Sequence, residues 1–304
     1  MIDKEAVAMI LLTATGITKK FDAKTAVKQI DLTVQAGQLV AFLGPNGAGK
    51  STTINLLTGT IAPTAGTIEM AGFKPDNRQY QKQIGVVFQK SVLDNQLTVW
   101  QNLKSRADMY QGVTLTPESE LITAFGLTSI LKQTYGTLSG GQRRRVDITR
   151  ALIHQPKLLF LDEPSTGLDI QTRTVIWQTL NQLRQQQGLT IILTTHYLEE
   201  SAEADFVYVI DHGQIIAADT VEQLQVTYAQ SQLMIETDYP EVVLSQLAPE
   251  WRVLQTNHQL QIALPDDQQA IALLTKVRSV VTHFEFRQGN MDDIFMALTG
   301  KEIR

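Results

Sequence analysis

The chain has no cysteine among its 304 residues, so structural disulfides and thiolate metal sites are excluded, and the composition fits a reducing compartment. It also lacks any apolar run of about 18 residues, the length a membrane-spanning helix needs. Basic charge is in short supply. Lys and Arg total 26 against 31 Asp and Glu, a net charge of -5, which argues against the broad basic stripe of a nucleic-acid protein. No nucleic-acid partner is therefore expected. Met1 to Ile10 carry Asp3 and Glu5 and have no basic segment followed by a long apolar core, so they do not read as a signal peptide. Glutamine is frequent, as in Gln185-Gln186-Gln187, but these residues sit inside periodic segments and read as solvated helix surface. What remains is a chain long enough for one large domain and one small one.

The most informative stretch is Gly44-Pro45-Asn46-Gly47-Ala48-Gly49-Lys50-Ser51-Thr52, which fits G-x-x-x-x-G-K-[ST]. Its flanks are those the motif requires. Leu39-Val40-Ala41-Phe42-Leu43 reads as a buried strand, and Thr53 to Leu57 can continue a helix. The glycines let successive backbone N–H groups converge on phosphate oxygens, and the helix start adds its unpaired N–H groups and positive dipole end. Lys50 is expected to reach the β- and γ-phosphates, and the Ser51 hydroxyl to ligate Mg²⁺. The alternative, a chance glycine turn, leaves the correct flanks unexplained.

Around this loop the chain reads as an alternation of strands and helices. Leu11 to Phe21, Ala26 to Val34 and Gln38 to Leu43 are expected strands, with a turn at Asp22-Ala23-Lys24. Phe21 ends the first of these, where its ring could stack on adenine or serve as an ordinary hairpin phenylalanine. Ile84 to Phe88 is a strand ending at Gln89. Thr98 caps a helix from Val99 to about Tyr110, and Thr116-Pro117-Glu118 starts another within a helical insertion. Leu138-Ser139-Gly140-Gly141-Gln142 then opens a helix. A glycine pair costs about 1 kcal/mol per residue inside a helix but presents N–H groups to an anion at a helix start. The following Arg143-Arg144-Arg145 read mostly as a solvated face.

Leu158 to Leu161 is an apolar strand tipped by Asp162 and Glu163, the Walker B arrangement. Asp162 can hold the Mg²⁺ that bridges phosphates, and Glu163 can polarise water; the alternative is a helix-capping Asp beside a surface Glu. Leu189 to Thr194 is another buried strand, followed by Thr195-His196. At a strand tip level with Asp162, His196 faces the same crevice and suits a phosphate contact, although a lone histidine is more often structural. Phe206 to Ile210 and Gln214 to Ala218 pair around Asp211-His212-Gly213, with His212 as a turn residue. In the last 80 or so residues the expected order is strand Gln232 to Glu236, helix Glu241 to Leu247, strands Trp251 to Thr256 and Gln259 to Leu264, helix Gln268 to Val277, strand Val280 to Phe286 and helix Met291 to Leu298. The first six of these make the split β-α-β-β-α-β pattern. No chemistry-bearing motif appears there, and His258 and His283 have no ligand-spaced partners.

Taken in order, these motifs resemble the ATP-binding subunit of an ABC transporter. The resemblance covers about residues 11–224 and is carried by Gly44 to Thr52 as Walker A, Gln89 as the Q-loop glutamine, Leu138 to Gln142 as the signature, Leu158 to Glu163 as Walker B, Ser165 to Asp169 as the D-loop and His196 as the switch histidine. It implies an α/β fold, a P-loop NTPase sheet of the ABC ATPase type with a helical insertion, plus a small C-terminal α+β domain. The ATPase domain is expected at 11–224, with 90–155 as its helical and signature region, and a ferredoxin-like accessory domain at 225–304. The family implies ATP and Mg²⁺ as cofactors. Lys50, Gln89, Glu163 and His196 are then the catalytic set, with Glu163 as base and His196 on the γ-phosphate. Phe21, Gly44, Asn46, Gly47, Ala48, Gly49, Lys50, Ser51 and Thr52 hold the nucleotide, with Ser139, Gly141, Gln142 and Asp169 completing the site of an opposite subunit. Ser51, Gln89 and Asp162 are the metal-side residues.

The same resemblance implies a head-to-tail homodimer sandwiching ATP, since neither half-site looks degenerate. It also implies separate transmembrane permease subunits, with the chain cytoplasmic and peripheral on the inner face of the membrane. Thr194-Thr195-His196-Tyr197-Leu198-Glu199-Glu200 and the closing Asn290 to Gly300 are similar to runs of the daunorubicin-resistance, or ABC-2 exporter, group. The expected function is thus ATP hydrolysis powering export of a drug, lipid, polysaccharide or ion. An importer or lipoprotein-extraction ATPase is the alternative. A non-transport ABC ATPase is least supported, because the stretch between Lys50 and Asp162 is too short for a long coiled coil.

Overall fold

A computed structural model describes residues 9–22, 24–249, 251–265 and 267–300. Met1 to Ala8, part of the stretch Met1 to Ile10 that does not read as a signal peptide, and the Ala23 position of the first turn lie outside the described residues. The chain forms two compact units, Met1–Ala218 and Asp219–Arg304.

The first unit begins with β1 (Ile10–Phe21), β2 (Lys24–Gln35) and β3 (Leu39–Leu43), then α1 (Lys50–Leu57), β4 (Ala65–Met70), α2 (Arg78–Gln81) and β5 (Ile84–Val87). The helical region holds α3 (Val99–Ala107), α4 (Glu120–Ala124) and α5 (Gly140–Leu152). It is followed by β6 (Leu158–Asp162), α6 (Ile170–Gln187), β7 (Thr190–Thr195), α7 (Leu198–Ala202), β8 (Phe206–Asp211) and β9 (Gln214–Asp219). The main sheet has six strands in the order β5-β6-β7-β3-β8-β9. β5, β6, β7, β3 and β8 run parallel to one another. A second, three-stranded sheet is antiparallel, in the order β2-β1-β4.

Every residue of β3, β6 and β7 is buried, as central parallel strands covered on both faces require. Such strands can present polar groups only at their ends. The P-loop follows β3, Glu163 follows β6 and His196 follows β7, so all three meet at one edge of the sheet.

The second unit contains α8 (Val221–Tyr228), β10 (Ser231–Glu236), α9 (Pro240–Leu244), β11 (Val253–Thr256), β12 (Gln259–Leu264), α10 (Asp267–Val277), β13 (His283–Arg287) and α11 (Met291–Thr299). Its antiparallel sheet has the order β11-β12-β10-β13. One face is packed by a core that includes Leu233, Ile235, Leu260, Ile262 and Leu273. The fold is thus the mixed α/β architecture with a helical region and a small α+β unit that the motifs implied.

Several boundaries differ from the sequence reading. α3 stops at Ala107 rather than Tyr110, because Asp108 caps it and Tyr110 N–H bonds to Ala107 O in a turn. α4 starts at Glu120, not near Pro117. Thr116 to Ser119 forms a turn in which the Ser119 hydroxyl accepts from Thr116 N–H at 2.9 Å. α9 runs Pro240–Leu244 instead of Glu241 to Leu247, where i→i+3 bonds tighten its end. β11 begins at Val253, not Trp251. β13 begins at His283, not Val280, whose N–H closes the end of α10 on Val277 O.

Candidate functional site

The loop between β3 and α1 could be built by few other sequences. Gly44 lies so close to β8 that a Cβ there would sit 2.1 Å from Ile210 O. Gly49 has φ 108°, and a Cβ on it would meet Ala26 O at 2.7 Å. Gly213 N–H bonds to Ala48 O at 2.8 Å and Lys28 N–H to Gly213 O at 2.7 Å, which ties the loop to the β8–β9 turn and to β2. α1 has no side-chain cap and no acidic residue in its first turn, so its N-terminal N–H groups face outward unopposed by local negative charge. A cavity of about 560 Å³ opens over this surface, lined by Asn46, Gly47, Lys50, Ser51, Gln89 and Glu163 among others.

Lys50 is buried and donates to Gly44 O at 2.6 Å and Pro45 O at 3.1 Å. Burial lowers its pKa from the ordinary lysine value, and the nearby Glu163 and Asp162 carboxylates act the other way. Ser51 Oγ donates to Asp162 Oδ1 at 3.0 Å, and Thr194 Oγ1 donates to the same oxygen at 2.5 Å. Two oxygen-bearing residues from α1 and β6 therefore converge. That is the hard donor set magnesium prefers, and the helix start and Lys50 beside it suit a phosphate chain. Gln89 Nε2 donates to Glu163 Oε2 at 2.9 Å, so the residues after β5 and β6 meet through their side chains. His196 Nδ1 lies 3.6 Å from Glu163 Oε1 and has no hydrogen-bond partner among the described residues, although it is buried. Its ring rests on Tyr197, with centroids 4.3 Å apart.

Of the remaining predicted residues, some border this loop and others lie away from it. Phe21 is half exposed at the end of β1, opposite Lys24, which lines the cavity that Phe21 does not; Lys19 Nζ sits 5.1 Å from its ring. Ala48 is buried and Thr52 lines the cavity. Ser139 caps α5: its Oγ accepts from Gln142 N–H at 3.2 Å, and Gln142 Oε1 accepts from Ser139 N–H at 2.9 Å. Gly141 occupies the first turn of that helix. Asp169 caps α6 by accepting from Thr172 N–H and Oγ1, both at 2.8 Å, and these bonds hold its carboxyl below the usual range. Neither the Ser139 to Gln142 segment nor Asp169 borders the P-loop cavity.

Three participants escaped the sequence reading. Thr194, which its sequence places at a strand end without a site role, fixes Asp162 and also receives Glu163 N–H on Oγ1 at 3.1 Å. His212 adopts φ 47° in its turn and lines the cavity as well. Arg144 is the exception to the mostly solvated face of the arginine run: it is 7 % exposed and bonds to three backbone carbonyls from two segments, Phe88 O from one and Asp162 O and Pro164 O from the other. The signal available was helical phase, because Arg144, Asp147 and Ile148 share one stripe of α5 and all are buried.

Comparison with known proteins agrees with this geometry. The family model described as "ABC transporter" matches residues 27–166. The daunorubicin/doxorubicin resistance ATP-binding protein of Streptomyces peucetius is 34% identical, over 95% of this chain and 92% of its own. The linearmycin resistance ATP-binding protein of Bacillus subtilis is 31% identical over 97% of this chain and 100% of its own. A Nod factor export ATP-binding protein from a Rhizobium species is 33% identical over 97% of this chain and 98% of its own. Among solved structures, an ATP-binding subunit of an ABC transporter superposes with TM-score 0.66 at 27% identity, over 71% of this chain and 92% of that one. A dimeric bacterial ABC transporter cassette superposes with TM-score 0.64 at 26% identity, over 69% of this chain and 98% of that one.

Proposed function

The chain belongs to the ABC transporter family of ATP-binding proteins, and from that premise we propose that it powers an ABC-2 type exporter through separate membrane subunits, moving a drug-like, lipid or polysaccharide cargo. ATP binding and hydrolysis carried out with Mg²⁺ are common to the family. The observation that carries the hydrolytic reading is the convergence of Lys50, Ser51, Asp162, Gln89 and Glu163 at one sheet edge. The exporter reading is supported by relatives named for drug resistance and Nod factor export that align along 95% and 97% of the chain, second unit included. An importer or lipoprotein-extraction ATPase is the weaker alternative.

In this mechanism the P-loop N–H groups and the start of α1 bind the phosphate chain, and Lys50 leaves its two carbonyls to reach the terminal phosphates. Ser51 and Asp162 hold the metal, which supplies charge neutralisation on the phosphate oxygens. Gln89 and Glu163 orient water toward the γ-phosphate, and His196 turns its unpartnered Nδ1 to the same group. Phe21 stacks on the base from the end of β1. Two copies pair head to tail, with Ser139, Gly141 and Gln142 of one closing over the P-loop of the other and Asp169 flanking the seam. The signature residues' position away from the P-loop cavity supports that pairing, as does the dimeric solved relative. No helix among the described residues is long and apolar enough to cross a membrane. In this reading the membrane path belongs to separate permease subunits, with the chain peripheral on their cytoplasmic side.

The direct test is phosphate release by the purified chain. Glu163→Gln is expected to bind ATP normally and to hydrolyse it about 10²–10⁴-fold more slowly. Equal rates for variant and parent would remove Glu163 from the chemistry. Affinity purification from membranes tests the transport reading. A partner with about six membrane spans, and no extracytoplasmic binding protein, is the export outcome.

A further inference from the structure

Glu163 has a backbone conformation that a non-glycine residue rarely keeps. Its φ is 47°, in the left-handed region. Such a residue persists only where its surroundings over-determine it. Its own N–H bonds to Thr194 O at 3.2 Å and Thr194 Oγ1 at 3.1 Å. The carbonyls on either side of it go to a single side chain. Arg144 Nη2 donates to Asp162 O at 2.7 Å, and Arg144 Nε donates to Pro164 O at 2.9 Å. The same guanidinium uses Nη1 to reach Phe88 O at 2.7 Å, the carbonyl of the peptide bond that leads into Gln89. One buried group thus grips the backbone of both residues whose side chains meet, Gln89 Nε2 and Glu163 Oε2.

The next turn of α5 grips the other end of the Gln89 segment. Asp147 is buried and its Oδ1 accepts from Ser91 Oγ at 2.7 Å, two residues past Gln89. The Tyr135 hydroxyl completes the triangle, 2.8 Å from Ser91 Oγ and 3.1 Å from Asp147 Oδ1. Asp147 also supplies a nearby negative charge for Arg144, with Asp162 and Glu200. A cavity of about 400 Å³ lies on this side of Glu163, lined by Gln89, Tyr135, Arg144 and Asp147 among others.

We propose that Arg144, seconded by Asp147, is a positioning residue for hydrolysis: it sets the Gln89–Glu163 pair and makes that setting follow the movement of α5. The proposal rests on the reading of Glu163 as the residue that orients water. Ser139 caps the start of α5, in the segment read above as covering the nucleotide of a second copy. A displacement at that end is carried five residues along a rigid helix to Arg144 and then to three carbonyls. A lysine could not do this, because one ammonium on a flexible stem cannot span the three acceptors that the planar fork of arginine reaches.

The test uses the full chain with Mg-ATP, reading kcat and KM from phosphate release and ATP affinity from calorimetry. Arg144→Gln is expected to lower kcat at least about tenfold while KM and Kd stay within about threefold, the split expected when only transition-state geometry is lost. Arg144→Lys should restore little of the rate. Ser91→Ala, at an exposed position, should lower kcat roughly two- to fivefold, with KM and the melting midpoint unmoved. A parental kcat in Arg144→Gln, or a loss confined to KM, overturns the proposal. Where Arg144→Gln fails to fold, Ser91→Ala decides, and a parental kcat in it overturns the clamp. Glu163→Gln runs alongside. If it hydrolyses at the parental rate, the reading of Glu163 has failed and the proposal with it. If it is inactive while Arg144→Gln is not, only the role of Arg144 has failed.

Discussion

The two units bury their strands in different ways, and chemistry follows the difference. In the first unit β3, β6 and β7 are buried along their whole length. Covered on both faces, they can offer polar groups only where they end, and parallel strands end at the same edge. Lys50, Asp162, Glu163 and His196 collect there as a consequence. In the second unit β10 and β12 alternate buried with partly exposed residues, so each strand buries one face and spreads Gln232, Met234, Gln259 and Gln261 along the other. Polar groups distributed in that way converge on no point. A packed α+β unit can therefore have its own core and still, among its described residues, gather no constellation for catalysis.

Paired truncations test that contrast most severely. Phe160→Ala in β6 and Ile262→Ala in β12 each remove a fully buried side chain and are expected to cost about 2–5 kcal/mol. Phe160→Ala should abolish ATP binding along with its unit's stability, whereas Ile262→Ala should lower the melting of the second unit and leave ATP titration of the first intact. Loss of ATP binding in Ile262→Ala would show that the two units do not fold independently. A smaller effect is expected from Lys50→Ala. Losing a charged donor to phosphate costs about 1.5–3 kcal/mol, roughly ten- to a hundredfold in the ATP dissociation constant, with the melting midpoint of the ATP-free chain little changed. An unchanged titration would contradict the placement of the phosphate chain.

The smallest effects come from the helix caps, and they sharpen the comparison most finely. Ser139 caps α5 and Asn290 caps α11 in equivalent capping boxes. Ser139→Ala and Asn290→Ala should each cost about 1 kcal/mol by thermal denaturation. Only Ser139→Ala should also lower steady-state phosphate release. Equal ATPase losses in both would mean that Ser139 acts through stability alone.

The lesson on legibility lies in which residues needed neighbours. Gly44 to Thr52 was readable because a phosphate loop is local: its glycines, lysine and serine act within one turn of chain. The tips of β6 and β7 were readable because an apolar run ending in Asp162 or His196 marks a strand end by its own pattern. Helix ends were less so, as at Tyr110 and Pro117, because i→i+3 turns compete with a helix on small energy differences. The arginine run reads mostly as a surface face, and Arg144 is its buried exception. Helical phase with Asp147 and Ile148 points to the buried member, but its partners Phe88, Asp162 and Pro164 are not its chain neighbours and no local pattern names them.

By itself the sequence determined the order of strands and helices, the family and the identity of the phosphate loop, because these depend on short-range pattern and on backbone freedom at particular glycines. Only the tertiary structure decided that Thr194 steadies Asp162, that Gln89 touches Glu163 and that one arginine holds both of their backbones. Those contacts join segments up to 74 residues apart, as in the Gln89–Glu163 pair. Such partners are chosen by which strand ends the sheet brings together, and that choice exists only once the core has packed.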